Sequence, residues 1–262
     1  MKTTNSKKTK KLLFALLLVP FLLQAQEGQD YGVFTNLMLT AHPEKIAEFE
    51  AGLAAHNKKF HSEGAYQANV FFVMSGKNFG KYIWSMGPIP WSAMDNAPQN
   101  ENGHNDDWNA NVAAHALAES PVTYWKFDTK HSNFTKDFKL KNLAVFMLDI
   151  KRFKGREFNG VLDKVTKVFK TKDPDEQWGV YFNELSNADG QDMAWVNFFD
   201  SSSWMSEEDK FPQWYEEVHG EGTFMDFLKQ FGETTNGDVQ ELWAFRPDLS
   251  GSDGSIQSAS RQ

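Results

Sequence analysis

The chain has 262 residues, no cysteine and a formal charge of −8. An acidic balance repels phosphate backbones and anionic lipid surfaces, so no nucleic acid is expected as a partner. The lack of cysteine excludes disulfides, thiol nucleophiles, iron–sulfur clusters and cysteine-based zinc sites.

Residues 1–26 read as an export signal. Lys2, Lys7, Lys8, Lys10 and Lys11 precede an apolar run from Leu12 to Leu23, and Ala25 offers a small residue for cleavage. That run is too short for a bilayer core, which needs about 20 residues. The mature chain is therefore expected to be exported, periplasmic or extracellular, with no stable membrane insertion. Cleavage removes five lysines and no acid, leaving 22 basic against 35 acidic side chains. The 23 phenylalanines imply a heavily packed interior or an aromatic-lined pocket.

Tyr31 to Thr40 has the apolar texture of a strand. Pro43 then opens a helix whose Ile46, Phe49, Leu53, His56 and Phe60 share one face. Strands follow at Tyr66–Met74 and Lys81–Met86, joined by a turn at Ser75–Gly80. Asp95 to Asp107 reads as a polar surface loop, Trp108 to Ala118 as a helix and Val122 to Phe127 as a strand. Residues 129–141 carry no clean period and read as a linker.

The order then restarts. Leu143 to Lys151 reads as a strand, and Phe158, Leu162, Val165 and Phe169 mark a helix. Val180–Phe182 and Met193–Phe199 read as strands, Pro212–Val218 and Thr223–Phe231 as helical, and Gln240–Phe245 as the last strand. The Ser- and Gly-rich tail 248–262 has too little apolar surface to order itself.

Eight of the nine tryptophans pair off in order: Trp84 with Trp195, Trp91 with Trp204, Trp108 with Trp214, Trp125 with Trp243. Residues 28–128 and 142–247 thus each read β-α-β-β-α-β, the ferredoxin-like order. The predicted fold is α+β: two tandem ferredoxin-like βαββαβ repeats packed sheet-to-sheet, each covering the other's bare face, in a monomeric pseudo-dimer. Strands apolar on both parities agree with burial on both faces.

On this element order, the duplication, and the turn-then-helix segment Asp200–Asp209, the chain resembles the dimeric α/β-barrel superfamily in a fused form. The likeness covers residues 28 to 247. It implies a pseudo-dimeric α/β barrel and activities that range over cofactor-free monooxygenases, haem-binding and haem-degrading enzymes and chlorite dismutase-like proteins. Haem-degrading members use an Asn on the first strand, a Trp on the third and a His on the second helix, places matched here by Asn36, Trp84 and His115. In the second half Val145 stands in the place of the Asn, and His219 lies at a different helical offset.

Among single residues, His56 holds an apolar-face position that Val165 fills in the other copy. It is either a ligand or proton donor, or a hydrogen-bonded core histidine. His61 would lie about 140° away around a continuous helix and is not expected to join it. Glu216 to His219 supplies one Glu-x-x-His, where di-iron chemistry needs two plus two further carboxylates. The Asp95–Asp107 segment lacks the order of a calcium loop, and Gly76–Lys81 departs from a phosphate-binding loop. No complete metal-ligand set is legible, so no metal and no cofactor are expected, with haem as the alternative that the resemblance implies.

Strand residues Asn36, Asp149 and Asn197 need partners if they face the interior, and a ligand is one such partner. Trp84 and Trp195 are core anchors or ligand walls. The candidate ligand-binding residues are therefore Asn36, His56, Trp84, His115, Asp149, Trp195 and Asn197. The expected function is binding of a small apolar or aromatic ligand between or beside the sheets, without catalysis. The alternative is a haem-handling or cofactor-free monooxygenase-type enzyme.

Overall fold

A computed structural model describes residues 32–96, 100–185 and 191–258. The export signal expected at residues 1–26 lies outside the described residues.

The first half of the described chain holds β1 (Val33–Leu39), α1 (Ile46–Phe60), β2 (Ala68–Val73), β3 (Tyr82–Ile89), the short α2 (Trp91–Asp95), α3 (His104–Asn111) and β4 (Val122–Phe127). After a two-residue strand β5 (Phe138–Lys139) come β6 (Asn142–Ile150), α4 (Gly155–Lys172), β7 (Trp178–Asn183), β8 (Met193–Phe199), α5 (Phe211–His219), α6 (Phe224–Thr234) and β9 (Thr235–Phe245). A last short strand, β10 (Ser255–Ile256), pairs with β5.

Eight strands close into an antiparallel barrel in the order β1-β3-β2-β9-β6-β8-β7-β4. Within residues 33–127 the order is β4-β1-β3-β2, and within residues 142–245 it is β9-β6-β8-β7. The two sheets were expected to stack face to face. Instead they join edge to edge, through Phe71↔Phe245 and Val73↔Trp243 on one side and Phe127↔Tyr181 on the other. Closure pairs backbone groups that an open sheet would leave bare at its edges.

The strands are apolar on both parities because each has two buried faces. On β6, Leu143, Val145 and Met147 point into the barrel, while Phe146 and Leu148 pack outward under the helices. On β3, Ile83 points inward, and Tyr82, Trp84 and Met86 meet the helical layer. Helix α1 buries Phe49, Leu53 and His56 at spacings of four and three, one face of a helix. Helix α4 does the same with Phe158, Val161, Leu162 and Val168.

Gly52 is where α1 and α3 touch. A Cβ there would lie 1.8 Å from the Asn111 carbonyl oxygen, so only glycine allows the crossing. That approach sets the preceding turn of α3 against His56.

Two segments read as irregular are tied down. In the expected linker, His131, Ser132 and Asn133 are buried, and Asn133 exchanges backbone hydrogen bonds with Trp178. In the expected tail, Leu249 is buried in the core cluster under α1, and Gly251 donates its N–H to Ala68. Composition undercounted these segments because their order comes from hydrogen bonds to the barrel wall, not from apolar area of their own.

Candidate functional site

The barrel is hollow. Its cavity measures about 620 Å³, within the range of about 300–1,000 Å³ usual for small-molecule sites. Strand register builds its two walls differently. Asn69, Ser85, Asn36 and Thr123 stand side by side across β2, β3, β1 and β4 and all line the cavity, forming one polar row. On the facing sheet the row of neighbours is Gly179, Val196, Val145 and Glu241. Around it Leu143, Met147 and Phe198 complete an apolar wall.

Two members of the polar row are already engaged. Trp125 Nε1 donates to Thr123 Oγ1 at 2.8 Å, and the Ser252 hydroxyl donates to Asn69 Oδ1. Asn36 differs: its Oδ1 is buried and has no hydrogen-bond partner among the described residues. A buried acceptor left in that state costs about 1–3 kcal/mol. Glu241, 2% exposed, is held by Asn78 Nδ2 at 2.8 Å and Trp243 Nε1 at 2.9 Å. Tyr181 folds its phenol back over its own strand, where a Cβ on Gly179 would lie 2.6 Å from its hydroxyl. Burial pushes the Tyr181 pKa well up, so it stays a neutral phenol.

A second cluster lies on the other face of the first sheet, beneath α1 and α3. His56 Nδ1 is 2.9 Å from Asp107 Oδ1, and His61 Nδ1 is 2.8 Å from the Tyr66 carbonyl. His61 Nε2 is 3.1 Å from His104 Nε2. Trp84 sets its ring edge-on to His61, and Trp108 does the same to His56. Trp84 also donates its indole N–H to buried Asn57 Oδ1 at 2.9 Å. Burial lowers the pKa of His56 despite the hydrogen bond with Asp107, and lowers that of His61 to about 4. Both rings are neutral at ordinary pH.

The separation expected between His56 and His61 does not hold. Helix α1 ends at Phe60, and His61 has φ −130° and ψ 23°, so the helical angle no longer governs where its ring goes. The segment Asp95–Asp107, expected as a surface loop, ends in α3 and supplies His104 and Asp107 to the same cluster.

The sequence-predicted site residues fall in five places. Asn36 lines the cavity, whereas His56 and Trp84 belong to the outer cluster. His115 sits in a 3-10 turn after α3, its Nδ1 buried without a partner among the described residues. Asp149 accepts from Asn236 near the end of β6, and Trp195 donates to Asn197 at 2.7 Å on the outer face of the second sheet. Asn36 and Trp84 thus lie on opposite faces of one sheet, and the three-residue pattern with His115 does not assemble.

Sequence reasoning missed Tyr181, Asn78 and Glu241. The signal for Glu241 was present as a lone acid inside an apolar strand, a position that demands buried donors.

The closed eight-stranded antiparallel barrel with outer helices is a fold shared with solved structures. Among solved structures it is similar to a candidate monooxygenase from Lactobacillus acidophilus NCFM, at 12% identity and TM-score 0.53 over 87% of this chain and 99% of that one. A candidate monooxygenase from Fusobacterium nucleatum shows 12% identity and TM-score 0.52 over 82% and 92%. A chlorite dismutase variant from Candidatus Nitrospira defluvii shows 7% identity and TM-score 0.53 over 84% and 93%. No protein-family model and no curated protein sequence matches the chain. Among the described residues, no helix is long and apolar enough to cross a membrane.

Proposed function

We propose that this is an exported barrel protein that takes one small, partly aromatic molecule into its hollow centre, without catalysis. The observation that carries the reading is a cavity of about 620 Å³ with the row Asn36, Asn69, Ser85 and Thr123 on one wall and Leu143, Val145, Met147, Val196 and Phe198 around the other. Such a site takes a mostly apolar body with a polar edge that meets the amide and hydroxyl row. Among the described residues no histidine lines the cavity, and its acid Glu241 is held by Asn78 and Trp243, which favours binding over chemistry.

The reading includes a tandem repeat. Its support is that the two halves have the same strand order, with Trp84 and Trp195 on corresponding strands and Trp125 and Trp243 on another such pair. It also includes a monomeric state, since both edges of each sheet are used in closing the barrel.

Titration with an apolar fluorescent probe, 1-anilinonaphthalene-8-sulfonate, tests the proposal. Saturable binding at one site is expected, and Ala194→Phe, which fills the cavity from β8, is expected to abolish it. Binding unchanged by that substitution would remove the barrel as the site.

A second reading, an oxygenase or haem-handling enzyme, rests on the fold shared with the monooxygenase and chlorite dismutase structures. It also rests on Trp84 beside His61, whose ring in turn meets His104. A histidine-ligated haem would have to approach from that outer face, since among the described residues no histidine lines the cavity. A Soret shift with haemin, or oxygen uptake with quinols, favours this reading; neither signal leaves the binding role.

A further inference from the structure

We infer that His56, His61 and His104 form a three-histidine site for a divalent transition cation of the zinc class, on the outer face of the first sheet and separate from the barrel cavity. One ring nitrogen from each histidine lies within 4.8 Å of those of the other two.

The hydrogen bonds say which nitrogen each ring offers. Carboxylate and carbonyl oxygens only accept, so Nδ1 of His56, facing Asp107, and Nδ1 of His61, facing the Tyr66 carbonyl, must each carry the proton. His104 turns its Nδ1 to the Asn105 side-chain oxygen at 3.1 Å. Nε2 of His56 and of His61 is then a lone pair. His56 Nε2 is buried with no partner among the described residues, and the Nε2 atoms of His61 and His104 face one another at 3.1 Å.

Two ring nitrogens at that distance are held together either by a proton on His104 Nε2 or by a cation beside both. Two imidazoles on a tetrahedral cation at the usual Zn–N length of about 2.0–2.1 Å have their nitrogens about 3.3 Å apart. The observed spacing is close to that value. Oxygen acceptors on the far nitrogens are the arrangement that orients metal-bound imidazoles and raises their basicity. Asp107 does this for His56 and the Tyr66 carbonyl for His61. Three imidazole ligands suit zinc, copper, nickel or iron(II), and exclude calcium and magnesium, which want oxygen. Three protein ligands leave a fourth position for water or an exogenous group. His56 and His61 are buried, whereas His104 is only half-buried, so that position opens beside α3.

The sequence hid this set because its members share no spacing motif. His61 and His104 are 43 positions apart, and both sit at element boundaries whose direction only the folded chain decides.

The test uses the full folded chain, stripped with a chelator, and zinc ion as the probe. Calorimetry and elemental analysis after dialysis are expected to give one equivalent of zinc. Cobalt(II) substitution is expected to give the intense visible bands of a four-coordinate site. His104→Ala, at a half-buried position that tolerates truncation, is expected to weaken zinc at least 100-fold, with circular dichroism unchanged. Asp107→Asn, which acts by positioning His56, is expected to weaken zinc about 10–100-fold while retaining the cobalt spectrum. His115→Ala, outside the cluster, is expected to bind as the wild type does. If the wild type takes up no zinc, or if His104→Ala binds it as tightly, the proposal is overturned. Zinc-dependent protection of His56 and His61 from chemical modification supplies a readout that needs no variant to fold; equal modification with and without zinc overturns it too.

Discussion

Asn36 and Trp84 stand on adjacent strands of one sheet, one position out of register, and face opposite ways. Leu37 is the residue paired with Trp84, while Asn36 pairs with Ser85. Asn36 looks into the barrel cavity, and Trp84 looks out beneath α1, where its indole bonds Asn57. Because side chains alternate across a strand, this one-residue offset separates two environments by the thickness of a sheet. The chain therefore carries a barrel cavity and a histidine cluster that share a wall but no residue.

Asn36 carries a stability cost, since its Oδ1 is buried without a partner among the described residues. Replacing it with Leu removes the buried unpartnered acceptor at similar volume. Asn36→Leu is expected to raise the unfolding free energy of the ligand-free protein by roughly 1 kcal/mol. The same change should weaken any ligand that donates to Oδ1. Urea denaturation and ligand titration on one preparation read both; a less stable variant would show that Asn36 is already satisfied.

Glu241 is predicted to behave oppositely. Truncating it strands two buried donors, Asn78 Nδ2 and Trp243 Nε1. Glu241→Ala is expected to cost about 2–4 kcal/mol, since each donor loses its acceptor and a cavity opens. Glu241→Gln, which keeps one oxygen acceptor, should cost less. Equal losses for the two variants in denaturant melts would count against the hydrogen-bond explanation.

Leu249 tests whether the tail belongs to the fold. It is 3% exposed, and its carbonyl accepts from Asn57 Nδ2 at 2.7 Å. Leu249→Ala is expected to cost about 2–4 kcal/mol, the usual range for a buried leucine. A change below about 0.5 kcal/mol, the scale of ordinary surface substitutions, would mean that residues 248–258 do not hold the barrel.

His131 links stability to pH. Burial alone would lower its pKa, but hydrogen bonds to Asp128 at 2.6 Å and Asp163 at 2.9 Å outweigh that and raise it. A raised folded-state pKa gives a contribution fully present below the ordinary histidine value of about 6.5 and lost as pH rises through the folded value. Asp128 and Asp163 are held low, so their contributions are present above about 3.8 and lost as pH falls through their folded values. The three together are expected to stabilise most between about pH 4 and 6.5. His131→Gln should flatten the decline on the alkaline side, as read by urea midpoints at pH 5.5 and 8.5. An unchanged slope would place the titration elsewhere.

Much of the fold was legible locally. Val122–Phe127 and Met193–Phe199 form strands at their expected bounds, and the α1 and α4 faces follow the apolar spacing. The Asp95–Asp107 segment was not legible, because its polar residues gain helical order only by packing α3 against α1 at Gly52. Of the candidate site, His56 and Asn36 stood out as polar residues on apolar elements, but their partners did not.

The sequence by itself determined the element order, the paired tryptophans and the double-sided burial of the strands, since these rest on periodicities of two and 3.6 and on turn chemistry close along the chain. Only the tertiary structure decided that the sheets close edge to edge, that Asn36 faces in and Trp84 out, and that three histidines converge. Strands apolar on both parities carry no label for their inner face. Convergence of side chains from distant elements depends on crossing angles and helix ends, which are set by packing and not by spacing.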